Sequence, residues 1–156
     1  MSTTPSNHAN VKFPPPLMYV AVFLLGFLMQ WLIPLPEVYL LLRWIGGGLL
    51  GAAGSVLVGW ALWLFWQDRT NPLPHKPSRA LVIRGPYRLT RNPMYVGMLF
   101  LYVGLALLLG NWWPVILVPL ITELINRFVI QKEEAYLTQR FGGDYTRYQT
   151  RVGRWL

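Results

Sequence analysis

Apolar residues in this chain fall into long blocks separated by short polar breaks, and the breaks carry almost all of the charge. That distribution predicts helices surrounded by lipid, because a hydrocarbon core of roughly 30 Å takes about 20 residues of helix to cross. The first block runs from Leu17 to Ile33 and is closed by Pro34 and Pro36. The second, Leu40 to Trp66, has Arg43 near one end and Trp60, Trp63 and Trp66 near the other, where an interfacial aromatic belt would sit. The third starts at Pro93, tolerated in a first helical turn because its missing N–H has no partner to lose there, and continues to Leu109. Asn111, Trp112, Trp113 and Pro114 predict a tight interfacial turn, after which the fourth block, Val115 to Ile130, brings the chain back.

Two finer patterns add to this. Gly47, Gly51, Ser55 and Gly59 recur at every fourth position, which predicts a helix face with little side-chain bulk and a close neighbour. Gly46-Gly47-Gly48 has neither the preceding strand nor the spacing of a dinucleotide-binding turn. Beyond Ile130, Phe141, Tyr145, Tyr148, Val152 and Trp155 recur at steps of four and three, one apolar face of a helix interrupted near Gly142-Gly143. With Arg140, Arg147, Arg151 and Arg154 around it, this segment is expected to lie in the membrane interface. The fold class is therefore all-α: an integral membrane bundle of about four transmembrane helices plus a C-terminal interfacial amphipathic helix. Residues 1–16 form a polar tail, 17–66 two spans, and 67–156 a loop, two further spans and the terminal helix.

Composition agrees, since 54% of the 156 residues are hydrophobic and only 13% are charged. The net charge of +8 admits nucleic acid as a partner. However, Lys and Arg concentrate in the loop after the second block and in the tail, while residues 34–39 and 110–114 have none, which is the pattern of the positive-inside rule. Anionic lipid is the expected electrostatic partner, nucleic acid is not, and both termini are expected in the cytoplasm. The first block lacks a small-residue cleavage pattern and reads as a retained helix. The absence of cysteine excludes thiolate metal sites, disulfides and a cysteine nucleophile. His8 and His75 stand alone without metal-ligand spacing, so no metal is expected.

Candidate chemistry lies in two places. In the fourth block, Glu123, Asn126 and Arg127 interrupt an apolar run, where a charge costs roughly 2.5 to 3.5 kcal/mol at the bilayer centre. Glu123 and Arg127 are spaced to pair, and at about 100° per residue Glu134 returns to the same face, so the three are expected to form one polar stripe. Glu133 and Glu134 add adjacent carboxylates that would attract a cation. The second place is the proline-broken segment 67–92, ending in Arg84-Gly85-Pro86-Tyr87-Arg88 and running into Arg91-Asn92-Pro93-Met94-Tyr95-Val96-Gly97. Tyr87 and Tyr95 offer aromatic faces and hydroxyls to a positively charged ligand.

The ordered combination R-G-P-Y-R-x-x-R-N-P-M-Y-V-G, a hydrophobic hairpin, E-E-A-Y-L and F-G-G-D-Y-x-x-Y-x-x-x-V-x-R-W resembles the membrane methyltransferases related to isoprenylcysteine carboxyl methyltransferase and phospholipid N-methyltransferases. The resemblance covers about residues 79–156. It implies S-adenosylmethionine as cofactor, with Leu81 and Val82 along the adenosine, Arg79 and Ala80 as weaker neighbours, Tyr87 in contact, Asn92, Pro93, Met94 and Tyr95 as a cradle, and Glu133 at the polar end. Arg127, Glu134 and Glu123 are the catalytic candidates. Two positions depart from the family: Asn92 stands where histidine is common, and Val129 stands where the prenylcysteine enzymes hold a substrate carboxylate with arginine. The expected function is methyl transfer to a lipid-borne or amphipathic carboxylate or amine. The alternative from another class is a non-enzymatic membrane protein, a transporter subunit or assembly factor, with Glu123 and Arg127 on an ion path and a lipid-binding basic loop.

Overall fold

The computed structural model describes residues 11, 13–71 and 80–156, and among these every regular element is helical. Lys12, His8, His75, Lys76 and Arg79 lie outside the described residues. Helix α1 spans Pro15–Leu32, with proline filling its first turn, and a π-helical turn, Leu42–Gly46, leads into α2, Gly47–Gln67. A short 3₁₀ turn, Gly85–Arg88, precedes α3, Pro93–Leu108. Then come α4 (Trp112–Ile116), α5 (Val118–Ile125), a second π-turn (Asn126–Ile130), α6 (Gln131–Phe141) and α7 (Gly143–Gln149).

Two helices, Pro15–Leu32 and Leu42–Gln67, are long and apolar enough to cross a membrane, and α3 is a shorter apolar helix. Their outer surfaces carry Leu17, Leu24, Trp31, Leu49, Val56 and Trp66 largely exposed, as suits contact with lipid rather than water. The expected fourth block is not one unbroken helix. Asn111 caps α4 by accepting a hydrogen bond from the Trp113 N–H at 2.9 Å, so Trp112 to Pro114 begin a helix instead of forming only a turn. A break at Leu117 then restarts the chain with Pro119 in the first turn of α5.

Helices α2 and α3 pack closely through glycine, along a stripe that keeps Gly47 and Gly51 of the one predicted and then turns to Gly54. A Cβ on Gly54 would meet the Gly97 carbonyl oxygen at 2.6 Å, and one on Gly104 would meet the Gly51 nitrogen at 2.8 Å. Gly59, by contrast, faces open space, and the Ser55 hydroxyl donates back to the Gly51 carbonyl at 2.8 Å. A strict four-residue spacing overshoots the 3.6-residue turn, so Gly47 and Gly54, two turns apart, share the contact face. On α1, Gly26 makes room for Pro114. Arg43 donates from Nε to the Leu108 carbonyl at 2.9 Å, giving a cation to the C-terminal end of α3.

The C-terminal region corrects the expected interfacial helix. Gly142, with φ of 53°, ends α6, and α7 stops at Gln149, so Val152 and Trp155 lie beyond the helix. Tyr145 and Tyr148 are buried within the protein, and the Tyr148 hydroxyl donates to the Tyr87 carbonyl at 2.6 Å. The apolar side predicted to meet lipid is thus spent, at these two tyrosines, on the protein's own loop.

Candidate functional site

The segment before α3 and the acids after the second π-turn meet. Asn92-Pro93 starts α3 and points Tyr95 toward α6, where its hydroxyl donates to Glu133 Oε1 at 2.8 Å. From the other side, the Tyr19 hydroxyl of α1 donates to the Tyr95 carbonyl at 3.0 Å, holding this turn against the core of Val22, Ile121, Ile125 and Val129. Tyr87 is buried on Ala61, Leu64 and Val82, with its ring edge-on to Phe65. Burial pushes its hydroxyl pKa up, and the charge of Glu133 pushes it further, which places these two groups within electrostatic reach.

Glu133 has no arginine beside it among the described residues. Its side chain keeps some access to solvent but is otherwise surrounded by protein. That desolvation raises its carboxyl from 4.5 to about 7; the Tyr95 hydrogen bond pulls the other way, and the neighbouring Glu134 adds to the rise. Glu134 is the opposite case. It accepts from Arg154 Nη2 at 2.5 Å and Nε at 3.1 Å, and lies 3.2 Å from Arg91 Nη2. Adjacent carboxylates on one helix turn therefore have different duties, one neutralised by two cations and one left short of a counter-charge.

Arg154 also donates to Asn126 Oδ1 at 3.0 Å, while its own carbonyl accepts from the Thr90 hydroxyl at 2.9 Å and from Asn92 Nδ2 at 3.0 Å. The Arg91 N–H donates to the Gly153 carbonyl at 2.9 Å. The last turn of the chain thus clasps residues 90–92 onto α6. Within this clasp Arg91 Nε is buried with no hydrogen-bond partner among the described residues.

Of the residues singled out from sequence, Tyr87, Asn92, Pro93, Met94, Tyr95, Glu133 and Glu134 gather here. The side chain of Asn92 is engaged with the Arg154 carbonyl. Leu81 and Val82 diverge: Val82 packs beneath Tyr87, whereas Leu81 lines an open cleft beside Phe141 and Tyr148. Glu123 and Arg127 pair with each other but stay exposed on the outer face, at 52% and 68% of their side-chain surface. The predicted stripe with Glu134 is not formed. The π-turn at Asn126–Ile130 adds a residue to its turn and breaks the regular helical step, so Glu134 no longer sits above Glu123. An outward-facing pair also does not line the interior of the bundle, where an ion path would run. Val129 is fully buried in the core. The residues missed from sequence are Arg91, Arg154, Thr90 and Tyr148. All but Thr90 were already fixed letters of the quoted motifs, yet nothing in their spacing announced that the tail folds back.

The phospholipid methyltransferase family matches residues 42–144, and the chain belongs to that family. It is 38% identical over 75 residues to the protein-S-isoprenylcysteine O-methyltransferase of Schizosaccharomyces pombe and 39% over 78 residues to that of Saccharomyces cerevisiae. These stretches cover 48% and 49% of this chain but only 32% of each yeast protein. A Haemophilus influenzae protein of uncharacterised function is 42% identical over 66 residues, its whole length and 40% of this chain. No solved structure matches.

Proposed function

We propose that the protein is a membrane-embedded methyltransferase that uses S-adenosylmethionine on a lipid-borne or small amphipathic acceptor bearing a carboxylate or amine. The observation that carries this reading is the unbalanced pair of groups in the clasp: a Glu133 carboxyl short of a cation, and a buried Arg91 Nε donor short of an acceptor. An amino-acid zwitterion answers both. Glu133 would hold an ammonium group, Arg91 a carboxylate, and the Tyr87 and Tyr95 rings would face a sulfonium. Leu81 and Val82 remain the proposed adenosine contacts, with the 92–95 turn as cradle.

When bound, the cofactor supplies a methyl group already activated for in-line displacement. The protein then needs chiefly to orient donor and acceptor, an effect worth up to roughly 7 to 11 kcal/mol. A carboxylate acceptor needs no base, and an amine would have to reach the clasp already deprotonated; Glu123 and Arg127, paired on the outer face, would meet an acceptor that arrives sideways from lipid. Glu134 acts in this reading as a positioning residue, keeping Arg91 and Arg154 in place. The topology we propose counts α3 and the broken α4–α5 segment as third and fourth spans, with the site and both termini on the cytoplasmic side.

Detergent-purified protein should gain thermal stability with S-adenosylhomocysteine, as any ligand that prefers the folded state must produce. Glu133→Ala should remove that gain while the protein stays inserted and folded. A wild-type melting temperature unmoved by millimolar ligand would count against the enzyme and for a non-enzymatic role.

A further inference from the structure

The loop before α3 and the C-terminal helices enclose a second feature, which meets the proposed cofactor contacts only at Leu81. An open cleft of about 720 Å³ lies between residues 81–88 and 141–152. Leu81, Ile83, Phe141 and Val152 supply apolar wall, and Arg84, Arg88, Arg147 and Arg151 supply cations. The four cations are not equivalent. Arg84 is held by Asp68 and Arg147 by Asp144, each at 2.5 Å. Arg88 and Arg151 are exposed, and among the described residues neither forms an ion pair with a carboxylate. Two guanidinium groups without a carboxylate partner on one cleft would suit an anion, and guanidinium geometry favours the paired oxygens of a phosphate.

The location narrows the ligand. Asp68 follows directly on α2, so the Arg84–Asp68 pair ties the cleft's loop to the end of a helix long and apolar enough to cross a membrane. Ile83 in the cleft wall and Leu89 just beyond it are exposed to 48% and 69%, an apolar edge beside a basic centre. Phosphate with apolar chains attached, at the depth where a spanning helix ends, is the chemistry of a lipid. We propose that this cleft binds the phosphate headgroup of an anionic phospholipid, with Arg88 and Arg151 on the phosphate and Ile83 and Val152 against the glycerol and upper chains. The proposal rests on the chain being in a membrane and not on its activity.

The test titrates detergent-purified protein with dioctanoyl-phosphatidylglycerol and, separately, with dioctanoyl-phosphatidylcholine, following binding by thermophoresis. The anionic lipid is expected to bind about tenfold or more tightly than the zwitterionic one, since each basic residue near an anionic surface contributes about a factor of five. Arg88→Gln/Arg151→Gln should abolish the preference and leave the response to S-adenosylhomocysteine as in wild type. Arg69→Gln, which removes an exposed charge that does not line the cleft, should keep the preference. Equal affinity for the two lipids, or a preference that survives the double substitution, would overturn the proposal. Displacement of the lipid by inorganic phosphate at equal concentration would overturn it as well, because the site would then serve a soluble anion. Native mass spectrometry of wild-type protein gives a reading independent of the variants' folding: retained anionic phospholipid supports the site, and retention of zwitterionic lipid alone contradicts it.

Discussion

Cofactor affinity should depend on pH through a single carboxyl. Glu133 has its pKa raised to about 7, mainly by desolvation, and it must be ionised to hold an ammonium group. Binding is then complete in its electrostatic part above about pH 8 and weakens as the carboxyl takes up a proton, by about tenfold at one unit below its pKa. Calorimetric titration with S-adenosylhomocysteine from about pH 8 to about pH 6 should show that decline, since the carboxylate beside the ligand's own ammonium keeps it protonated over this range. Glu133→Gln should bind weakly at every pH and show no such step. Tyr95→Phe should move the step to higher pH, because the tyrosine hydrogen bond is the contribution that lowers the carboxyl's pKa. A wild-type affinity flat across this range, or an identical step in Glu133→Gln, would rule out Glu133 as the group that holds the ammonium.

Other consequences follow from the same contacts. Without ligand, the protein should lose stability as pH rises from about 4.5 through about 7, because Glu133 is then ionised in the unfolded chain before it is ionised in the folded one; melting temperatures should fall over that window and level off above it. Arg154→Ala removes hydrogen bonds to Glu134 and Asn126 and should cost about 2 to 3 kcal/mol in denaturant titration, with weaker cofactor binding as the clasp on residues 90–92 loosens. Gly104→Ala would press a methyl group onto the Gly51 and Gly47 backbone and should cost about 1 to 3 kcal/mol, whereas Gly59→Ala meets open space and should be close to neutral.

The long apolar helices were legible because their signal is local: apolar blocks with proline and tryptophan at their ends place α1, α3 and the continuous Leu42–Gln67 helix within a few residues. The meeting of Tyr95 with Glu133 was legible only through the ordered motifs, since no periodicity links residues thirty-eight apart in sequence. What could not be read were departures from regular helix. The π-turn at Asn126–Ile130 rotates Glu134 away from Glu123, and no simple pattern of residue types marks where a helix adds a residue to its turn. The tail failed for another reason. A helix with an apolar face reads the same whether it meets lipid or protein, and the Tyr148 contact with Tyr87 exists only in the folded chain.

The clasp of Glu133, Tyr95 and Arg91 should serve a methyl donor. The decisive assay incubates purified protein with S-adenosylmethionine carrying a tritiated methyl group and a total membrane lipid extract. The expected result is label in the organic phase with wild type and none above background with Glu133→Ala. Equal label from both proteins would remove Glu133 from the site, and no label with wild type across extracts of several membranes, together with no cofactor binding, would contradict the claim itself.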